Sequence, residues 1–488
     1  MFDPSTSWQI LLALVAVSVL AKWMFTPPAE LRHLPRVPIL PLLWSYASGE
    51  VEDVRIKRLL LPFANEKGEG VVLVYALGRW IVHVLDHQIA KDLSDNISLW
   101  PKEEPPDAML LWRFVGKTNV ILSNGEAWTR HSHVVKSALT RNLPISEFVS
   151  LGKKLFKKMG NGGRIKWDDY TMRFTLDAVG STALGHNFRA IEDDHSPFVA
   201  QYNEVMDGIA SPLYIVFPKL EKWFPRREVI KNIDNLVNKF QKILEHKKEN
   251  KGNDMLTYML EEPGMTDEEY RDNMVVFFIA GHDTTAGAMS SFAYYLAKNP
   301  HIQKRAREEV IEALANDEEP DVTNLRKMNY VQACIRESLR INTPITYMVP
   351  RSSAQPVDVK ASNGKTYYLP PNTSVILNIT SIHHNEKYWP NAGAFIPERF
   401  FGKSEKDEIR VDASLWLPFA LGPRQCPARN FAMYELRTLA AMLLLEWEWA
   451  LPESSPHSDY PKNGFSPFAL SLPKDMYIDF KRRTLPSK

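Results

Sequence analysis

The sequence predicts a mainly helical protein with a smaller strand-rich part, preceded by one N-terminal transmembrane helix, and three observations carry the prediction. Apolar residues recur at helical spacing, as in the stripe Ile230, Ile233, Leu236, Val237, Phe240, Ile243 and Leu244. Between about residues 68 and 86 the pattern changes to alternation (Val72, Val74, then Val82, Val84), the period of half-buried strands around Gly78-Arg79. An apolar run from Ile10 to Ala21, interrupted only by Ser18, stands near the start, with Trp8 and Trp23 at its two ends.

Composition narrows the function before any motif does. At 488 residues, 44% of them hydrophobic, the chain exceeds the usual limit of one core, so several domains or one unusually large one are expected. A net charge of +1 gives no whole-chain field for nucleic acid or for a strongly acidic partner. With only two cysteines there is no disulfide framework and no four-thiolate zinc site, which suits a reducing compartment.

The first element, Trp8 to Phe25, is at the lower edge of the length that spans a bilayer, with tryptophans for the two interfaces and Lys22 able to reach out of the apolar zone. A cleaved signal peptide is the rival reading, but Asp3 and the lack of Lys or Arg ahead of the run count against it. Lys22, Arg32 and Arg36 follow the run, which places the bulk of the chain in the cytosol. Residues 1–26 are therefore read as an anchor. Residues 27–48, with Pro27, Pro28, Pro35, Pro38 and Pro41, are read as a stiff extended linker and not a helix.

Past the strand pair, Trp100 to Ser123 reads as irregular, with Pro101, Pro105 and Pro106, and Asn124 then opens a helix carrying Trp128, Arg130, His131, Ser132 and His133. Residues 145–262 read as mostly helical. Within them, Ser211 to Arg227 mixes aromatic and basic residues between prolines, which fits an amphipathic surface loop or a segment resting on a membrane. Thr266-Asp-Glu-Glu269 is a capping box for a further helix. That helix holds Ala280-Gly281-His282-Asp283-Thr284-Thr285-Ala286-Gly287, whose interior glycines each cost on the order of 1 kcal/mol relative to alanine and predict a close neighbour. Ala280 and Thr284 share a face, and a threonine hydroxyl bonded one turn back opens a groove beside the acid Asp283.

Glu337 and Arg340 are three apart on a helix that Thr343-Pro344 ends, and Pro397-Glu398-Arg399-Phe400 supplies a second arginine. Val349-Pro350-Arg351 enters a strand. His383-His384 point apart in a strand or turn, which disfavours a shared metal. The sequons at Asn96, Asn372 and Asn378 are silent if the chain faces the cytosol. Another helical pattern runs from Ala428 to Trp447, and Gly464 to Phe468 reads as a loop.

Between those last elements lies Phe419-Ala-Leu-Gly422-Pro-Arg424-Gln-Cys426-Pro427-Ala428. Gly422 permits a tight turn. Cys426 falls at the expected N-cap of the helix with Pro427 at its first position, where the helix dipole favours thiolate. Arg424 is a cation suited to a carboxylate.

This loop resembles the cysteine signature of the cytochrome P-450 superfamily, Phe-x-x-Gly-x-Arg-x-Cys-x-Gly, with Phe419, Gly422, Arg424 and Cys426 in place and Ala428 where glycine is commonest. Ala280-Gly281-His282-Asp283-Thr284-Thr285 resembles the same family's distal motif, and Glu337, Arg340 and Arg399 fill its Glu-x-x-Arg and Pro-Glu-Arg-Phe positions. The resemblance covers the chain from about residue 30 onward. It implies a haem-thiolate monooxygenase domain over residues 49–488, of the membrane-anchored microsomal type, with haem b held by Cys426 as axial ligand to its iron. It implies proton relay by Asp283 and Thr284, haem contacts from Arg424, Phe419, Gly422, Ala280, Trp128 and Arg351, and a structural role for Glu337, Arg340 and Arg399. The family's Trp-x-x-x-Arg pair is met only at Trp128. Ser132 takes the arginine position, which leaves Arg130, His131 or His133 as substitutes.

The same resemblance implies an endoplasmic reticulum membrane protein, single-pass, with a cytosolic catalytic domain. Its partners would be an NADPH-cytochrome reductase, with cytochrome b5 as a possible second donor, and a small lipophilic substrate such as a sterol or steroid, fatty acid or terpenoid. No nucleic acid is implied. Two other classes share the fold: isomerases or dehydratases that do not activate O2, and non-catalytic haem-binding or electron-transfer proteins. The former typically lack the distal threonine that Thr284 supplies here.

Overall fold

In the computed structural model, which describes Trp8, residues 14–16, residue 19 and residues 22–484 apart from 263, 316, 318, 402–410 and 467–469, helices dominate. The longer ones are α1 (Ile39–Ala47), α2 (His87–Asp95), α3 (Gly125–Arg141), α4 (Ile145–Met159), α5 (Trp167–Val179), α6 (Pro197–Ile209), α7 (Arg227–Glu249), α8 (Asp267–Lys298), α9 (Pro300–Leu314), α10 (Asn329–Ile341) and α11 (Arg429–Glu446). The strands are β1 (Val71–Ala76), β2 (Arg79–Val84), β3 (Gly162–Lys166), β4 (Val357–Lys360), β5 (Thr366–Leu369), β6 (Val375–Leu377), β7 (Trp447–Ala450), β8 (Asn463–Gly464), β9 (Leu472–Pro473) and β10 (Tyr477–Arg482). They form two small three-stranded sheets, β1-β2-β6 and β3-β10-β7, and two hairpins.

The alternating stretch forms the two expected strands, but they are buried on both faces rather than half-buried. β1 and β2 pair antiparallel with Val74 opposite Ile81, and the turn between them puts Leu77 at φ 54° and Gly78 at φ 75°. The segment 27–48 departs from its extended reading: α1 begins directly after Pro38. Proline at the boundary, with its φ of −59°, starts the helix rather than preventing it. The expected anchor falls mostly outside the described residues. Among the described residues, no helix is long and apolar enough to cross a membrane.

Helix α8 organises the helical part. Thr266 accepts from the Glu269 N–H and the Glu269 side chain reaches back, so the capping box is complete. Residues Tyr270–Ile279 of α8 belong to one hydrophobic core with α6 and α7, while Ala288–Ala297 belong to another with α4, α10 and α11. A helix apolar on nearly every side is a buried helix. The motif Ala280–Gly287 lies where it passes from one core to the other. A third core surrounds the sheet β1-β2-β6.

A polar brace ties the C-terminal half together. Glu337 takes two hydrogen bonds from Arg340, from Nε to Oε2 and from Nη2 to Oε1, each 2.8 Å, and one from Arg399 Nε at 3.2 Å. Arg340 is fully buried and spends its other donors on the carbonyls of His383 and Ala392, both at 2.8 Å. His383 extends the brace: its Nδ1–H donates to the Arg340 carbonyl (3.1 Å) and its Nε2 accepts from the Leu417 N–H (2.8 Å), just ahead of the cysteine loop. Burial lowers His383 to about 3, with Arg340 adding to the effect, so it stays neutral and keeps this tautomer. His384 donates to the Ile341 carbonyl at 2.8 Å, so both histidines serve backbone groups. From Phe400, ring contacts run through Trp416 (6.1 Å) to Phe419 (5.9 Å).

The brace makes a quantitative expectation. Glu337→Ala strands a buried guanidinium and should cost about 3–5 kcal/mol of stability, read as a lower urea midpoint. An unchanged midpoint would show that the pair does not brace the fold.

Candidate active site

Around α8 burial is broken on one side only. Phe277, Ala280, Gly281 and Thr284, spaced three or four apart, are the positions of the motif region that stay open. Thr284 bonds back to the Ala280 carbonyl at 2.7 Å, which satisfies its hydroxyl within the helix and leaves Ala280 and Thr284 on the open face. The glycines answer to protein neighbours. A Cβ on Gly281 would stand 2.9 Å from Val179 Cγ2 of α5, and one on Gly287 would stand 2.5 Å from Leu472 Cδ2.

Asp283 does not share that open face. It is buried, its Oδ2 accepts from the Tyr202 hydroxyl at 3.1 Å, and its Oδ1 lies 3.1 Å from His282 Nε2. His282 is fully buried, with Nδ1 against the Phe278 carbonyl.

The cysteine loop is drawn tight by its own backbone. The Cys426 N–H donates to the Phe419 carbonyl at 2.8 Å and the Gln425 N–H to Gly422 at 3.1 Å. Gly422 takes φ 72°, and a Cβ there would approach the Ser94 carbonyl to 2.6 Å, so glycine is required both by conformation and by packing against α2. Cys426 is not the helix N-cap. Pro427 and Ala428 form a turn, and α11 begins at Arg429 with Ala428 as cap. The half-buried thiol is pushed up by burial, while the Ala428 N–H and Arg429 pull the other way. A thiolate at this position therefore calls for a bound cation such as a coordinated iron, which deprotonates a thiol outright.

Three cations gather beside the loop. Arg424 donates to Asn124 Oδ1 (3.0 Å) and to the carbonyls of Val120 (3.2 Å) and Ser123 (2.5 Å), with Trp128 5.1 Å away in a cation–π contact. Arg351, buried, donates through Nη1 to the Trp100 carbonyl at 3.0 Å and leaves Nε without a partner. Burial lowers both to about 10, Arg351 adding to the effect on Arg424. Lys102 completes the group: its only described hydrogen bond from Nζ is a long one to the Val349 carbonyl, 3.5 Å. Burial, then repulsion from Arg351 and Arg424, drives its ammonium far below the ordinary lysine value. None of the three has an ion pair with a carboxylate among the described residues. Desolvated cations of one sign, with an orphaned donor, fit an absent anion. The two propionates of a haem have that character.

Of the three expected substitutes for Ser132, two are corrected here: Arg130 pairs with Glu269 at the start of α8 and His131 Nε2 meets the same carboxylate at 3.0 Å, so both are committed away from the cation group, while His133 is exposed on α3. Sequence reasoning missed Lys102, Asn124 and Tyr202. The first two sit at the ends of a segment read as irregular, in which the structure places a short helix at Leu110–Val115, and Asn124 clamps the Lys102 backbone by two 2.9 Å hydrogen bonds, a pairing with no periodic signal. Of the Gly464–Phe468 loop, residues 467 and 468 lie outside the described residues.

Comparison with known proteins agrees with this arrangement. The family model for cytochrome P450 matches residues 35–477. Cytochrome P450 4c21 of Blattella germanica is 24% identical over 90% of this chain and 93% of its own length. Cytochrome P450 3A14 of Cavia porcellus is 27% identical over 68% of this chain and 69% of its own. The crystal structure of the cytochrome P450DA heme domain shares the fold, with a TM-score of 0.78 at 20% identity over 92% of this chain and 98% of that one. A tight cysteine loop beside unpaired cations, a distal threonine on the one open face of α8, and a family match over most of the length agree: the chain belongs to the cytochrome P450 family of haem-dependent monooxygenases.

Proposed function

We propose that this monooxygenase is of the membrane-anchored microsomal type and inserts one oxygen atom of O2 into a lipophilic substrate. Sterols or steroids, fatty acids and terpenoids are the candidate classes. Electrons come from NADPH through a separate cytochrome reductase, with cytochrome b5 as a second donor. The observation that carries the reading is Thr284 on the single open face of α8, bonded back to Ala280 beside a buried acid.

Cys426 would hold haem b through its iron, and the haem would supply the oxygen-activating chemistry when bound. Phe419 and Gly422 shape the loop that presents the cysteine, and Ala280 leaves the facing helix surface low. Lys102, Arg351 and Arg424 would hold the propionates, with Trp128 packed against Arg424, and Lys102 would take the part that Ser132 leaves vacant. Thr284 orients a proton donor in the groove, and Asp283 passes protons toward it. Glu337, Arg340 and Arg399 keep the cysteine loop in place.

Membrane attachment has support besides the N-terminal run. Trp23, Leu40, Trp44, Leu213, Trp223 and Phe224 are all more than half exposed, and α1 packs against Pro212–Val216, next to Leu220–Trp223. Lys219, Lys222 and Arg227 lie among them. Large exposed apolar groups with basic neighbours fit a bilayer interface. We assign residues 1–26 to the anchor, 27–48 to the segment that brings α1 to the lipid, and 49–488 to a cytosolic catalytic unit on the endoplasmic reticulum.

Reconstituted with the reductase and a substrate that shifts the haem to high spin, the protein should place label from 18O2 in the product. Thr284→Ala should divert roughly tenfold more of the NADPH electrons to peroxide with haem content unchanged; an unchanged product yield per NADPH would contradict the relay. Lys102→Met should speed haem loss to apomyoglobin by roughly tenfold or more, the weight of a charge-assisted hydrogen bond, whereas Arg130→Ala should not; equal rates in both would contradict the propionate assignment. A nitrobenzoxadiazole label on Trp223→Cys should shift its emission to the blue with phosphatidylcholine vesicles, and an unshifted emission would remove this surface from the membrane contact.

A further inference from the structure

The buried acid of the distal helix is already engaged, and its partner comes from another helix. Tyr202 of α6 is almost fully buried and its hydroxyl donates to Asp283 Oδ2 at 3.1 Å. Burial, with Asp283 next to it, pushes the phenol well above its ordinary value, so it remains a donor. The ring is fixed edge-on against Phe278 (5.2 Å between centroids) and His282 (5.0 Å), both on α8. His282 Nε2 stands 3.1 Å from the other carboxylate oxygen without hydrogen-bond alignment. Successive residues of a helix point about 100° apart. Asp283 is thus turned to the α6 side while Thr284 opens on the groove.

We propose that Tyr202 is a positioning residue that holds Asp283 out of the groove, so that the location of α6 governs when the acid serves Thr284. The inference rests on the reading of Asp283 as the proton donor. A shift of α6 by about 1 Å takes the hydroxyl out of hydrogen-bond range, and a buried carboxylate that has lost its donor turns toward the nearest water, here in the open groove. Acid delivered before a substrate is seated gives futile turnover: O2 accepts the two electrons of NADPH and two protons and leaves as hydrogen peroxide. Tyr202 holds this reaction down.

The test uses the full-length haem protein with the reductase and no substrate, and compares wild type, Tyr202→Phe, Asp283→Asn and the double variant. Tyr202→Phe should keep its haem content and its ligand-induced spin shift, and should raise NADPH-dependent peroxide release by roughly tenfold or more, the weight of one hydrogen bond to a charged group. In the Asp283→Asn background the same change should have no effect, because the group it acts through is gone. No rise in Tyr202→Phe, or a rise that persists in the double variant, overturns the proposal. If Tyr202→Phe loses haem, Tyr202→Met fills the space without a donor: excess peroxide release that vanishes with Asp283→Asn then supports the latch, and unchanged release with haem intact overturns it. Should Asp283→Asn leave product per NADPH unchanged with a turned-over substrate, the relay reading fails on its own terms.

Discussion

Much of the site depends on a charge imbalance held at buried Arg351 and half-buried Lys102 and Arg424. Lys102, Arg351 and Arg424 repel one another in a desolvated setting and draw on backbone carbonyls, a poor match for three cations. Such an arrangement persists only if the rest of the fold forces it. The forcing is visible: Asn124 clamps the Lys102 backbone, the Arg351 backbone pairs with Val375 at 2.8 and 2.9 Å, and Arg424 is fixed by the cysteine loop. An anion between them would relieve the strain and bind tightly for the same reason.

The two sides of the site are supported in different ways. Helix α8 is packed into two separate hydrophobic cores, one on each side of the distal motif, while its open face stays uncovered. The cysteine loop is held between two cores, with Leu417 and Leu421 in the one around β1-β2-β6 and Phe419 against the one shared by α4, α10 and α11. It relies besides on the Glu337–Arg340–Arg399 brace, on His383 at Leu417, and on the ring series Phe400, Trp416 and Phe419. A polar brace fixes a loop in one place where apolar packing would allow several.

Local patterns were legible in the sequence. The capping box at Thr266, the β1-β2 turn at Gly78, the helical faces of Thr284 and of Glu337 with Arg340, and the turn at Gly422 each depend on residues a few positions apart. What depended on phase or on distant chain was not legible. A turn at Pro427-Ala428 delayed the start of α11 and moved Cys426 off the cap, while Pro38 opened a helix in a stretch read as extended. Arg130 turned to Glu269, a partner 139 positions away, and Asp283 found Tyr202 at a separation of 81. Lys102 carried no pattern, because a side-chain clamp placed it.

The most direct test of the central claim, a haem held by Cys426 and three otherwise unpaired cations, is the spectrum of the reduced protein with carbon monoxide. The account predicts the red-shifted Soret band of a thiolate-ligated carbonyl in the wild type and its loss in Cys426→Ser. A wild-type band at the position of an imidazole-ligated carbonyl, or a thiolate band that survives in Cys426→Ser, would contradict it.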